Sequence, residues 1–279
     1  MNYLHYYPSL LLSNSYANTF RKWDLICSSL SSFFSERDHT QKKVLNFPVN
    51  HVLIQHYRSG ADYISDHSDK TIDVIRNSSI ANVSLGAQRI MTLRLKRSKQ
   101  QQQQEGERQA TTTITALDNN STTHIHQSPP RLTQRIPLPN NSLFIMGLET
   151  NRKWLHGISP DKRPLSTLSP SEQIYQGSRI SLTFRWIGTY INPVNNTIWG
   201  MGARSKKHED ARKYIIMDKT PLSLSSENDN HGMKQFKKLI WAFGQENQDS
   251  EFDWDRWYGE GSDVVNFVPE NKIWKTKLG

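Results

Sequence analysis

His67 and Asp69 stand two residues apart in the run GADYISDHSDKTIDV, residues 60–74. Along an extended strand side chains alternate between faces, so this pair points the same way and can bind one ion together. A chain with ten histidines and twenty-six acidic residues produces one such pair easily by chance, and a polar surface pair is the plain alternative. The motif needs a third ligand. Of the remaining histidines, His5, His39, His208 and His231 lie in end segments, and His124 and His126 lie in a polar run that would not fix their geometry. His51 and His56 flank a strand and read as ordinary, partly buried histidines. His156, in NRKWLHGIS close behind the strand-like SLFIMG, is the best candidate.

Two histidines and a carboxylate leave other coordination positions open, an arrangement suited to non-haem Fe(II) oxygen chemistry. Open positions call for a co-substrate. RISLTFR places Arg179 and Arg185 six apart and so on one strand face, and guanidinium forks bind carboxylates bidentately. Arginine within an otherwise apolar strand is costly unless paired, which favours an anionic ligand over a solvated charge.

Short runs rich in β-branched and aromatic residues must position these groups. Strands are predicted at residues 51–57, 80–86, 89–95, 141–147 and 179–191, punctuated by Gly, Asn and Pro,. Short strands without long intervening helices indicate a sandwich or barrel. Helices are confined to the ends, at about 16–34, 209–217 and 233–243. The fold class expected is mainly β with flanking helices (α+β).

Between the strands, residues 98–130 form a Gln-, Thr-, Ser- and Asn-rich run with almost no apolar periodicity, expected to be a disordered insertion,. It accounts for much of the low mean hydropathy of −0.70. Three parts are expected: an N-terminal helical segment over 1–49 belonging to the catalytic fold, a core over 50–190, and a C-terminal extension over 191–279. The extension reads as a clamp packed on the core. The chain shows no solenoid or propeller repeat.

A single cysteine, Cys27, excludes an internal disulfide framework,. The N-terminal sequence lacks a basic leader, and no run approaches a membrane span. An intracellular protein, nuclear or cytoplasmic and monomeric, is expected. The net charge of +9 suits a polyanionic partner such as nucleic acid, with the basic run 89–99 as a candidate phosphate contact.

Taken in order, HVLIQHYRSGADYISDHSDKT, IANVSLGAQRIMTLRL, LPNNSLFIMGLETNRKWLHGIS and GSRISLTFRWIG resemble the Fe(II)/2-oxoglutarate dioxygenases of the AlkB type over about residues 50–188. The resemblance implies a double-stranded β-helix, or jelly-roll, core. It implies that His67, Asp69 and His156 ligate Fe(II), and that Tyr57 and Arg179 hold the co-substrate 2-oxoglutarate, with Arg179 on its distal carboxylate. Arg185 matches the second arginine of the pocket. O2 completes the reactants, and the implied products are succinate, CO2 and a hydroxylated C–H bond.

Three departures stand out. Gln55 occupies a place where the family usually has Asn, and Ser181 replaces an Asn between the two arginines. Nucleic-acid repair members carry an acidic residue soon after H-x-D, where this chain has Lys70 and Thr71, and the segment 35–49 is short for their nucleotide lid. Oxidative dealkylation of N-methylated nucleic-acid bases is the first functional reading. The alternatives are a hydroxylase of a small molecule or protein, or a binding protein whose site has decayed.

Overall fold

Period-two alternation along one strand shows how the chain divides its inside from its outside: Leu53, Gln55 and Tyr57 line an internal cleft, while Val52 and Ile54 join an apolar cluster on the opposite face,. The computed structural model describes residues 2–6, 47–98, 130–217 and 229–266. The helix expected at 16–34, most of the segment 35–49 and nearly all of the insertion 98–130 lie outside the described residues.

The strands in chain order are β1 (Asn2–Tyr6), β2 (His51–Tyr57), β3 (Ile64–His67), β4 (Ser79–Gly86), β5 (Arg89–Leu95), β6 (Thr133–Leu138) and β7 (Ser142–Gly147). A short helix α1 (Leu148–Lys153) leads into β8 (Trp154–Ile158). A second, α2 (Pro170–Gln173), precedes β9 (Arg179–Arg185). Then follow β10 (Thr189–Asn192), β11 (Thr197–Gly200), β12 (Arg212–Lys213) and β13 (Ile215–Met217), the helices α3 (Asp229–Gln248) and α4 (Trp254–Tyr258), and β14 (Val264–Asn266).

Two antiparallel sheets form the jelly roll, one in the order β1-β2-β9-β4-β7 and the other β3-β8-β5-β6. Their facing sides meet through Tyr57 and Phe144 from the first sheet and Met91, Leu93 and Ile158 from the second. On the outer side of the first sheet, Val52, Ala81 and Phe184 pack with Phe47 and Val49. Each cluster takes alternate residues of its strands, the pattern that lets one sheet carry apolar side chains on both faces.

Strands β2 and β5 occupy the predicted residues 51–57 and 89–95, and β4 and β7 differ from prediction by one residue at the start. The strand predicted over 179–191 is two. Ile187 leaves the ladder to bridge Val74, and the Gly188 amide donates to the Asp73 carbonyl at 2.7 Å, so the chain turns out of the first sheet after Arg185. Strand β6 holds a proline, Pro137, which is tolerated because β6 is an edge strand,. The helix predicted at 209–217 is absent. A single 3-10 turn (His208–Asp210) gives way to β12 and β13, because β-branched Ile215 and Ile216 find a parallel partner in β14,. The helix predicted at 233–243 is part of the longer α3. No described helix is long and apolar enough to cross a membrane.

Candidate metal centre and co-substrate cleft

His67 on β3 and His156 on β8 are direct cross-strand partners, although they stand far apart in sequence. Ile64 also pairs with Ile158, so three steps along β3 match two along β8. This bulge re-aims the end of β3 and puts His67 opposite His156. Gly157 permits the close approach: a Cβ there would lie 2.6 Å from Asp66 Oδ1 and 3.0 Å from the Ile64 carbonyl oxygen. The imidazole centroids are 4.3 Å apart. The Nε2 atoms of His67 and His156 each lie 3.7 Å from the same oxygen, Asp69 Oδ1. One ligand atom from each of the three residues falls within 4.8 Å of the others.

The surrounding groups prepare these atoms for a cation. His67 Nδ1 lies 2.8 Å from the Ser65 carbonyl oxygen, so it carries the proton and Nε2 keeps its lone pair,. Burial pushes the His156 imidazole down to about 3, so it is neutral at physiological pH,. Burial alone would raise the Asp69 carboxyl, but Arg185 and the two histidines outweigh it and hold the group well below the usual carboxylate range. Arg185 Nε and Nη2 donate to Asp69 Oδ2 at 2.8 and 2.5 Å, which leaves Oδ1 facing the imidazoles. Arg185 thus lines the cleft together with Arg179 and anchors Asp69.

Deeper in the cleft, Arg179 is 1% exposed. Its Nη2 donates to Ser84 Oγ at 2.8 Å and reaches Asn82 Oδ1 at 3.4 Å, while Nε and Nη1 have no hydrogen-bond partner. The guanidinium carbon sits 5.0 Å from the centroid of the Tyr57 ring. Burial lowers the group to about 10, so it stays charged at neutral pH. Gln55, opposite Ser181 in the β2–β9 register, is buried with Nε2 unpartnered. A buried cation and an amide with unspent N–H groups are what a carboxylate requires, because such donors are costly to leave unsatisfied.

Asn82, which the sequence reading did not single out, completes this wall. Its Nδ2 donates to Ser181 Oγ at 2.7 Å and to Thr183 Oγ1 at 2.8 Å. The amide missing at position 181 is therefore supplied by the neighbouring strand β4. An Asn on the inward parity of the apolar run IANVSLG was the available signal.

A family model described as the 2OG-Fe(II) oxygenase superfamily matches residues 11–185. The chain belongs to that superfamily. It is AlkB-like: the human DNA oxidative demethylase ALKBH2 is 30% identical over 54% of this chain and 44% of its own length. The mouse protein of that name is 30% identical over 50% of this chain and 43% of its own. The Arabidopsis thaliana protein is 26% identical over 50% of this chain and 38% of its own. The chain thus spans less than half the length of these curated relatives.

The cofactors of the superfamily are Fe(II), 2-oxoglutarate and O2, and the residues fit them. Two imidazoles and one carboxylate converge on one point, and the unpartnered N–H groups of Arg179 and Gln55 line the same cleft,. Two cations of the basic run 89–99, expected as phosphate contacts, are turned inward. Arg89 is buried and donates to the carbonyls of Ser59, Gly60, Asp62 and Ser159 at 2.8–3.2 Å. Arg94 pairs with Asp66 at 2.8 Å, and Lys96 is 3% exposed. Arg89 and Lys96 are thus committed inside the oxygenase, whereas Arg94 stays exposed beside its ion pair and Arg97 is half-buried; Lys99 lies outside the described residues. His56 Nε2 lies 3.0 Å from Ser178 Oγ, in keeping with a structural role.

Proposed function

We propose that this oxygenase removes N-methyl groups from nucleic-acid bases by hydroxylating the methyl carbon. One atom of O2 enters the methyl C–H and the other enters succinate as 2-oxoglutarate loses CO2; the N-hydroxymethyl product then releases formaldehyde and leaves N–H. The observation that carries the reaction class is the Arg179 guanidinium, buried with Nε and Nη1 unspent, in the cleft that also holds His67, Asp69 and His156. The nucleic-acid assignment draws support from the relatives, each named a DNA oxidative demethylase, and from the net charge of +9,. A nucleic-acid substrate goes with an intracellular enzyme.

When bound, Fe(II) supplies the activation of O2 and the oxidation of the C–H bond. The protein's own work is positioning. His67, Asp69 and His156 would hold the metal, with Arg185 keeping the Asp69 carboxylate ionised and aimed. Arg179 and Gln55 would bind the distal carboxylate of 2-oxoglutarate, with Tyr57 alongside. Ile64, Ile80, Met91, Phe144 and Ile158 make much of the remaining wall apolar and exclude water,.

A second reading, hydroxylation of a small molecule or protein, is favoured by Lys70 and Thr71. Both side chains bond to α3, Lys70 Nζ to Asn247 Oδ1 at 2.7 Å and Thr71 Oγ1 to Glu246 Oε1 at 2.5 Å. Among the described residues lining the cleft, Asp69 is the only acid.

The test is formaldehyde release from oligonucleotides carrying N-methylated bases, with Fe(II), 2-oxoglutarate and O2. Release by wild type and none by His67→Ala is the expected result. Succinate formation stimulated by a metabolite or peptide pool, with no formaldehyde from any methylated oligonucleotide, would transfer the assignment to the second reading.

A further inference from the structure

The segment carrying Asp69 leaves the sheet. Strand β3 ends at His67, and among residues 68–71 several peptide groups are satisfied by side chains from remote parts of the chain. Asn151 on α1 brackets Asp69: its Oδ1 accepts from the Asp69 amide and its Nδ2 donates to the Asp69 carbonyl, both at 2.9 Å. Asn247 on α3 accepts from the Ser68 amide at 3.0 Å, and Glu246 accepts from the Thr71 amide at 3.0 Å. Trp254 Nε1 on α4 donates to the Thr71 carbonyl at 2.8 Å.

Lys96 ties these parts together. Its Nζ reaches Ser68 Oγ at 3.1 Å, the Asn151 carbonyl at 3.2 Å and the Glu246 carbonyl at 2.5 Å. Glu246 is 2% exposed and also accepts from Tyr258 Oη at 2.6 Å. Two of the proposed iron ligands are therefore placed by strand pairing, and the third by an external bracket. Most of that bracket lies beyond residue 185, where the match to the superfamily ends.

We propose that Asn151, Glu246 and Asn247 are positioning residues for the metal centre, fixing the Asp69 carboxylate against His67 and His156, so that helix α3 is part of the catalytic unit. The inference rests on His67, Asp69 and His156 being the metal ligands. Asn247 Oδ1 has one task, accepting hydrogen bonds from the Ser68 amide and Lys70 Nζ, with Ser68 Oγ also within 3.0 Å. A carboxylate oxygen performs that task equally well, and an alkyl group cannot perform it.

The experiment titrates the full-length apoprotein anaerobically with Co(II) alone, reading the dissociation constant and the visible d–d spectrum. Asn247→Leu is expected to weaken Co(II) binding about tenfold or more and to alter the spectrum, the scale of outer-shell losses at metal sites. Asn247→Asp should stay within about threefold of wild type, because the acceptor survives. Asn151→Asp keeps the acceptor for the Asp69 amide but turns a carboxylate oxygen toward the Asp69 carbonyl, and should lose about tenfold. Lys238→Ala, which removes only the outer ion pair with Glu260, should bind as wild type does.

A role in packing alone would lower the apoprotein's melting temperature and leave Co(II) affinity and spectrum unchanged in Asn247→Leu and Asn151→Asp, which would overturn the proposal. If Asn247→Leu does not fold, Asn151→Asp decides. Failure of the wild type itself to bind Co(II) would remove the ligand assignment and this inference with it. Wild-type binding combined with indifferent variants would remove the inference alone.

Discussion

Arg185 and Asp69 form the ion pair on which the metal centre's charge depends: both the Nε and Nη2 of the arginine reach the same oxygen, Oδ2, and leave Oδ1 to face the two imidazoles. Arg185→Leu removes the group that keeps this buried carboxylate ionised. Breaking a buried pair by deleting one partner costs about 3–5 kcal/mol. The expected outcome is a lower melting temperature for the apoprotein and weaker metal binding at pH 7. Calorimetry and metal titration check both, and a variant that binds metal as wild type does would contradict the assignment.

Arg179 is the proposed co-substrate anchor, and so its loss should show in a different parameter. Arg179→Gln keeps an amide N–H but discards the charge. The KM for 2-oxoglutarate should rise by at least tenfold, because losing one side of a buried charge pair costs about 2–5 kcal/mol of binding. Metal affinity should hold, since Arg179 touches none of the three ligands. Kinetics at varied 2-oxoglutarate separate this variant from Arg185→Leu.

Asn82 lends its amide to a strand whose own residue there is Ser181. Asn82→Leu strips the Ser181 and Thr183 hydroxyls of a shared buried donor and should destabilise the fold by about 1–3 kcal/mol. Moving the amide across the ladder, with Asn82→Ser and Ser181→Asn together, should recover much of that loss. Urea denaturation of the two single variants and the pair measures the coupling, and strict additivity would show that an amide at position 181 does not replace the one lost from position 82.

Arg179 was legible because a cation is rare in an apolar strand, and the His67, Asp69 and His156 cluster through the H-x-D spacing and the resemblance, although Asp69 lies beyond the end of β3. Strands β2 and β5 were legible through alternation. Sequence spacing is silent on partners brought together only by folding. Asn151 meets Asp69 across 82 residues and Glu246 meets Thr71 across 175, so neither could be paired in advance. Arg89 and Lys96 were misread as surface charge because a count of cations does not say where their stems point. In the segment 209–217 the apolar spacing fitted a helix, yet the parallel partner β14, out of reach of any local pattern, decided the matter.

His156 gives the apoprotein a pH signature of definite sign. Its folded value is about 3 against 6.5 for the unfolded group, so between these limits the unfolded chain binds the extra proton. Stability due to this residue is therefore complete above about pH 6.5 and is lost as the pH falls toward 3, with a limiting slope of about 1.4 kcal/mol per pH unit for one group. Asp69, depressed below its ordinary 3.8, acts in the same direction, and its share disappears only below about pH 4. Between pH 6.5 and 4.5 Asp73, pushed up to about 6 by burial, and Glu246, also raised by burial, act in the opposite sense,. The histidine's share is therefore read as a difference: urea midpoints of the metal-free protein at pH 7, 5.5 and 4.5 should fall further with acid in the wild type than in His156→Asn. Saturating Mn(II) should raise the wild-type midpoint most at pH 7 and least at pH 4.5, because protons and metal compete for the same nitrogen; an unchanged increment across the range would place the metal elsewhere.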